Sequence, residues 1–312
     1  MTNRGCPSAT VVIPTCNRLH ELSLVLGALR TQHVPSGSSV EIVVVDDGSS
    51  DGTWRWLQQL AEGGEILALR QENAGPARAR NRGIEAARGD IVVFLGDDTV
   101  PQSGWLLHHL EEHRLHVGSG DIAVLGYTSF PAMLDSPFLR WINEFGAQFG
   151  YHLIEEPERV SFNFFYTSNV SLPRRVLLEL GGFREDFPAA AWEDIELAYR
   201  ATRRGLRLVY RPRARVLHLH RIHPRTFRHR QRTSGRSAAI FVELHPELSD
   251  FLGVERLPRS RLLRLVPSGL LALGTVLANR YPGVVSARWF QRDLDAAYLQ
   301  GLAEGLQIGG RG

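Results

Sequence analysis

The sequence predicts an α/β fold, a wound and mostly parallel sheet flanked by helices, with a helical extension at its C-terminal end. Three observations lead there. Apolar, β-branched runs at residues 10–13, 42–45, 66–69 and 91–95 lack polar alternation, as expected for strands covered on both faces. Segments with helical apolar spacing lie between them, giving a strand–helix alternation typical of parallel sheets. Two of the runs then break directly into paired carboxylates, Asp46-Asp47 and Asp97-Asp98. Ligands in such sheets sit beyond the carboxyl ends of the strands, so these aspartates point at a site rather than a core.

The first run ends at Pro14, and Thr15-Cys16-Asn17-Arg18 forms a turn in which Asn17 can cap a helix with the stripe Leu22, Val25, Leu26 and Leu29. The second turns at Gly48 and Gly52 into a helix from about Thr53 to Leu60. An alanine-rich helix follows the third, with Pro76 in its first turn and Gly89 as its stop. After the fourth come a helix at 105–115, a strand at 122–127 and an aromatic stretch at 130–165 that is expected to shape a pocket. Residues 163–173 read as a strand and 174–180 as a helix stopped by Gly181-Gly182. A loop leads into a helix from Trp192 to near Gly205, then two strands at 206–210 and 214–219. An Arg/His-rich stretch at 221–236 precedes a helical tail. The expected division is a main domain at 1–236, with halves 9–128 and 129–236, and a helical extension at 237–312.

With 312 residues, 43% hydrophobic and 22% charged, the chain can bury a full core. Every basic residue is arginine, a bias that reflects a GC-rich genome more than function although arginine clusters also suit phosphate recognition, and the net charge of +3 is small and implies no nucleic-acid partner. Cys6 and Cys16 lack CxxC spacing, so neither a disulfide framework nor a thiolate metal site is indicated. The N-terminus lacks the apolar core of a signal peptide, and a cytoplasmic location is expected. The longest apolar run, 262–278, is interrupted by Arg264, Pro267, Ser268, Gly269 and Gly274 and falls short of the roughly 20 residues needed to span a bilayer. Arginine-rich 256–264 ahead of it reads first as part of a terminal helical cap on the main domain, with a peripheral contact at the inner face of a membrane as the alternative.

Paired aspartates at a strand end suit a hard cation such as Mg2+ or Mn2+, which prefers oxygen ligands and shares them with phosphates. Asp98, with Asp97, is the candidate. His218 and His220 stand two apart on a predicted strand, so both face one side, and His218 is the stronger candidate to complete the shell. Asp194 begins a helix, where a carboxylate is either a cap or a general base. A helix N-terminus would lower its pKa, and Glu193 would push it back up.

These pieces, in this order, resemble glycosyltransferase family 2 with its GT-A fold over about residues 9–220. The matching residues are Val12-Ile-Pro14-Thr15-Cys-Asn17-Arg18, Val45-Asp46-Asp47-Gly48-Ser49, Asn73-Ala-Gly75 through Ala79-Arg80-Asn81-Arg82-Gly83, Phe94-Leu-Gly96-Asp97-Asp98, Gly181-Gly182-Phe183 and Trp192-Glu193-Asp194-Ile-Glu196-Leu. The resemblance implies inverting transfer from a nucleotide-diphosphate sugar to a hydroxyl of a glycan, lipid-linked or protein acceptor, as in cell-envelope polysaccharide synthesis. It implies that Thr15 and Asp47 bind the base of the nucleotide, that Arg80 lies near the nucleotide or its phosphates, that Asp98 holds Mg2+ or Mn2+, that Asp194 is the base, and that Glu193 and Trp192 help hold donor sugar and acceptor. Pro14, Asn17, Arg18 and Asp97 are expected to line the nucleotide beside them, and His218 to join Asp98 at the metal. One departure is Gly96, where many members carry an acidic residue. Two rival readings are an inactive glycan-binding or scaffold relative, which intact Asp98 and Asp194 speak against, and a sugar nucleotidyltransferase. The second would need a glycine-rich phosphate loop where Pro14-Thr15-Cys16-Asn17 stands.

Overall fold

A computed structural model describes residues 7–144, 148–187, 191–257, 268–282 and 286–309. Contacts group the chain into two units, the first comprising Met1–Pro131, Phe149–Glu185 and Glu193–His220, the second Ala132–Gln148, Asp186–Trp192 and Arg221–Gly312.

The first unit holds eight strands in one sheet: β1 (Ala9–Thr15), β2 (Val40–Asp47), β3 (Leu67–Gln71), β4 (Ile91–Leu95), β5 (Thr99–Pro101), β6 (Ile122–Ser129), β7 (Asn169–Pro173) and β8 (Arg207–His218). Their order is β3-β2-β1-β4-β7-β6-β8-β5. The first four pair in parallel, whereas β7 is antiparallel to both β4 and β6, and β5 is antiparallel to β8. Helices α1 (Leu19–Leu29), α2 (Thr53–Glu62), α3 (Pro76–Ala86) and α4 (Trp105–Leu115) follow strands, as the alternation requires. Val11, Ile13, Leu22, Val25, Leu57, Val93, Leu95 and Trp105 form the core beneath them. Each such side chain contributes about 1.5–3 kcal/mol on leaving water. Gly83 lets α3 lie directly on β1, since a Cβ there would stand 2.3 Å from Val12 Cγ1.

Three expectations are corrected. Residues 163–173 are not one strand: 162–164 form a 3-10 turn and β7 begins only at Asn169. The aromatic run has high β propensity, but its rings pack on one another instead of entering the ladder. The two strands at 206–210 and 214–219 are a single β8, whose register against β6 jumps from Gly126–Arg211 to Tyr127–Arg215 in a bulge that absorbs Pro212. Arg18 rather than Asn17 occupies the cap position of α1, with no side-chain cap bond.

α6 (Arg174–Leu180) and α7 (Glu193–Arg203) complete the first unit. The second consists of α5 (Pro137–Glu144), α8 (Pro224–Leu244), α9 (Ser268–Arg280) and α10 (Arg288–Gly309). α8 and α10 approach closely: a Cβ on Gly235 would sit 2.0 Å from the Tyr298 carbonyl oxygen, and one on Gly301 1.9 Å from that of Arg232. Arg228 pairs with Asp293, and Arg232 and Arg236 with Glu304, so much of the basic stretch is engaged within this unit. The division expected at 236/237 falls inside α8, and the contact grouping changes at His220/Arg221, because α8 packs along its length on α10. Among the described residues no helix is long and apolar enough to cross a membrane.

Candidate active site

The carboxyl ends of β1, β2 and β4 lie side by side because those strands are parallel neighbours, which brings Thr15, Asp47 and the Asp97-Asp98 pair to one rim. Thr15 Oγ1 donates to Asp97 Oδ2 at 2.8 Å, and Arg18 Nη1 donates to Asp98 Oδ2 at 2.9 Å, with its Nε 3.7 Å from Asp97 Oδ1. Pro14 remains inside the β1 ladder opposite Val45. Asn17 adopts φ +54, a left-handed conformation that asparagine tolerates, and its Oδ1 accepts Ser50 N at 2.7 Å while its own N donates to Ser49 Oγ. Asp47 Oδ1 accepts Gln71 Nε2 and Ala74 N, and Oδ2 accepts Gly75 N, which ties the 73–75 loop to β2. Gly48, at φ +79, is required here: a Cβ would press to 2.8 Å from Asn73 N.

β5 pairs antiparallel with β8, placing Thr99 opposite His218 and the imidazole beside Asp98, Nε2 to Oδ1 3.3 Å. Both are nearly buried. Burial pushes the Asp98 carboxyl upward, but His218, through charge and a hydrogen bond, and then Arg18 bring it down to about 2. Asp97 goes the other way: burial and the neighbouring Asp98 charge raise it to about 7, with Arg18 and Thr15 opposing. β8 ends at His218, so His220 lies beyond the strand, its ring centroid 6.0 Å from that of His218.

A divalent oxygen-seeking ion fits these residues. Asp98 is held anionic, and His218 Nδ1 is buried without a hydrogen-bond partner among the described residues. No three His, Cys, Asp or Glu side chains converge among the described residues. An ion here would complete its shell with substrate oxygens, the usual habit of Mg2+ and Mn2+ beside phosphates.

The other acidic centre is the first turn of α7. Glu193 is 2% exposed, its Oε1 receives Arg80 Nη1 at 2.7 Å, and its Oε2 is buried with no partner among the described residues. Arg80, expected near the nucleotide, is buried, lies 5.4 Å over the Phe183 ring and is paired with Glu193. Asp194 still reaches solvent, while burial and then the Glu193 charge raise its carboxyl to about 7 against Arg80 and the backbone N–H groups of Ile195 and Thr167.

Contacts within the first unit link the two centres. The His218 ring lies 6.2 Å from Phe149, Phe149 lies 5.2 Å from Tyr166, and the Tyr166 hydroxyl donates to the Phe149 carbonyl. Thr167, next in sequence, bonds Asp194 through its backbone, and Ser168 O accepts Thr99 Oγ1 at 3.3 Å. Segment 166–169 therefore connects both carboxylates.

Trp192, expected to bind substrate, adopts φ +74, strained for a non-glycine residue; its indole N–H donates to Ser234 O and its ring packs among Phe241, Phe251 and Tyr298 in the second unit.

Several contributors escaped the sequence reading. Asn81 brackets the Gly-Gly-Phe turn, with Nδ2 donating to Phe183 O and Oδ1 accepting Phe183 N. Tyr166, Thr167 and Phe149 had no motif to mark them. The signal for Asn81 was its place within the Arg80-Asn81-Arg82-Gly83 match.

Comparison with known proteins agrees with this geometry. The model "Glycosyl transferase family 2" matches residues 10–159, and "Glycosyl transferase family group 2" matches residues 91–284, more than half of the chain. The chain is 29% identical over 222 residues to validoxylamine A glucosyltransferase of Streptomyces hygroscopicus subsp. jinggangensis, covering 64% of itself and 52% of that protein. It spans 65% or less of the length of the other curated relatives it matches. In fold it is similar to a Pyrobaculum calidifontis mannosyltransferase solved with GDP-Man and Mn2+, at TM-score 0.63 and 20% identity, over 97% of this chain and 88% of that one. It is also similar to S. aureus TarS in complex with UDP-GlcNAc, at TM-score 0.53 and 18% identity, over 97% and 92%. With its parallel strand ends, acidic pair and Glu-Asp helix start, the chain belongs to glycosyltransferase family 2.

Proposed function

We propose that the protein transfers a glycosyl group from a nucleotide-diphosphate sugar to an acceptor hydroxyl with inversion at the anomeric carbon. The observation that carries this reading is the contrast between two carboxylates joined by one contact network. Asp98 is held ionised at about 2 beside His218, whereas Asp194 is raised to about 7.

A carboxylate near pH 7 is matched to taking a proton from an alcohol at neutral pH. Asp194 accepts the acceptor's hydroxyl proton as the oxygen bonds to the anomeric carbon; the sugar–phosphate bond breaks and its electron pair leaves on the diphosphate. Glu193, paired with Arg80, supplies the neighbouring charge that helps raise Asp194. Arg18, Asp97, Thr15, Asn17 and Asp47 form the rim that receives the nucleotide. Asp98 and His218 would hold Mg2+ or Mn2+, which supplies charge neutralisation for the leaving diphosphate. The solved relatives hold GDP-Man with Mn2+ and UDP-GlcNAc, which supports a nucleotide-sugar donor of either base class.

The test is a screen of GDP- and UDP-sugars, with and without Mn2+, for thermal stabilisation and donor hydrolysis, followed by Asp194→Asn. That variant is expected to bind the donor as the parent does and to lose transfer. Parent-like turnover by Asp194→Asn would remove the base assignment, and silence toward every nucleotide sugar would remove the reading itself.

A further inference from the structure

Helix α9 has an apolar outer face. Leu270, Leu273, Val276 and Leu277 are 50, 53, 56 and 38% exposed, and Tyr281 just past the helix is 52% exposed. At 3.6 residues per turn these positions, with Arg280, fall in an arc of about 140°. Every exposed position from 269 to 279 is apolar or glycine.

The opposite face is fixed within the same unit. Leu271, Gly274, Thr275 and Ala278 are buried. A Cβ on Gly274 would meet the Trp289 ring at 2.3 Å, Thr275 Oγ1 donates to Asp293 Oδ2 at 3.1 Å, and Asn279 Oδ1 accepts Phe138 N at 3.0 Å. α9 is thus clamped on α10 and α5 with its apolar stripe turned to water. A contiguous apolar stripe of this kind on a soluble chain marks a surface that meets something.

The surrounding charge says what. Arg280, Arg288 and Arg292 are exposed. From Ser268 to Arg292 the sequence contains three arginines, at 280, 288 and 292, and no aspartate or glutamate. A second copy of the chain would set arginine against arginine. A face of leucine and valine bordered by guanidinium groups, with a tyrosine at its end, matches the boundary between acyl chains and anionic headgroups. The helix has 13 residues, too few to cross a bilayer, and so lies along it.

We propose that α9 docks the protein on the surface of an anionic phospholipid bilayer, Leu270, Leu273, Val276 and Leu277 entering the interface and Arg280 and Arg288 meeting headgroup phosphates.

The experiment is flotation of the full chain with vesicles of phosphatidylcholine alone and with about one-third phosphatidylglycerol. Expected are flotation with the anionic vesicles, weakening as salt rises, and loss of it in Leu273→Ser with Val276→Ser. Arg280→Gln with Arg288→Gln should lower the partition constant about thirtyfold. Because all four positions are exposed, circular dichroism should show parent-like folding in both variants. No flotation on anionic vesicles, equal flotation on neutral ones, or parent-like flotation of the serine variant would each overturn the proposal. So would a lipid-free dimer in sedimentation that the serine variant converts to monomer, since a second copy would then cover the stripe.

Discussion

Replacing Arg80 with methionine separates what the buried pair does for stability from what it does for the base. Its guanidinium lies 2.7 Å from Glu193 Oε1, with side chains 11% and 3% exposed, and above Phe183. Removing one member of a pair this buried leaves an uncompensated charge, which costs about 3–5 kcal/mol, and loss of the ring contact adds about 0.5–1 kcal/mol. Arg80 is also one of the groups that hold Asp194 down against burial and the Glu193 charge. Without it the Asp194 carboxyl rises above about 7, so the acid limb of the kcat/KM profile moves to higher pH. Arg80→Met combined with Glu193→Leu removes the stranded charge and the repulsion together. Part of the stability should return and the acid limb should move back down. Urea denaturation gives the first quantity and a pH–rate profile of transfer the second. A loss below about 1 kcal/mol for Arg80→Met with an unmoved acid limb would refute the coupling.

Asp98→Ala should abolish the Mn2+-dependent part of donor binding in titration calorimetry, and an unchanged affinity would count against its ligand role. His109 and His113 are buried against Ser171, and burial holds their imidazoles at about 4 and about 3. Their folded pKa values lie below the unfolded value, so the unfolded chain binds protons first and stability drops as pH falls through about 6.5. The loss by pH 5 is about 2 kcal/mol per histidine, and His113→Gln should remove one such share from the difference between denaturation curves at pH 7 and pH 5. Gly182→Ala should lose about 2–3 kcal/mol, because φ is +72 and the new methyl would stand 2.4 Å from Asn81 Oδ1; a parent-like melting temperature would contradict this.

Strand ends were the readable part of the sequence. A doubly covered strand must be apolar throughout, so the break from apolar residues to Asp47 and to Asp97-Asp98 marked the strand ends that the structure brings to one rim. Asp194 was readable as a helix start. The partner of Arg80 was not, because Glu193 is 113 residues away in the chain and no local rule encodes that distance. The surroundings of Trp192 were hidden for a related reason: nothing local in the sequence announces the left-handed backbone that carries its ring among Phe241, Phe251 and Tyr298. The strand proposed at 163–173 failed because aromatic residues that favour sheets also favour one another.

Gly96 has a consequence for how this chain can change over time. A Cβ at that position would stand 3.1 Å from Thr99 Oγ1 and 3.3 Å from Asp98 Oδ1, and an acidic group would add a third negative charge beside Asp97 and Asp98. An acidic residue placed there would crowd the very carboxylate it should assist. To admit a side chain there, Thr99 and Asp98 would each have to give by a few tenths of an ångström, so a change at any one of these three positions constrains the other two.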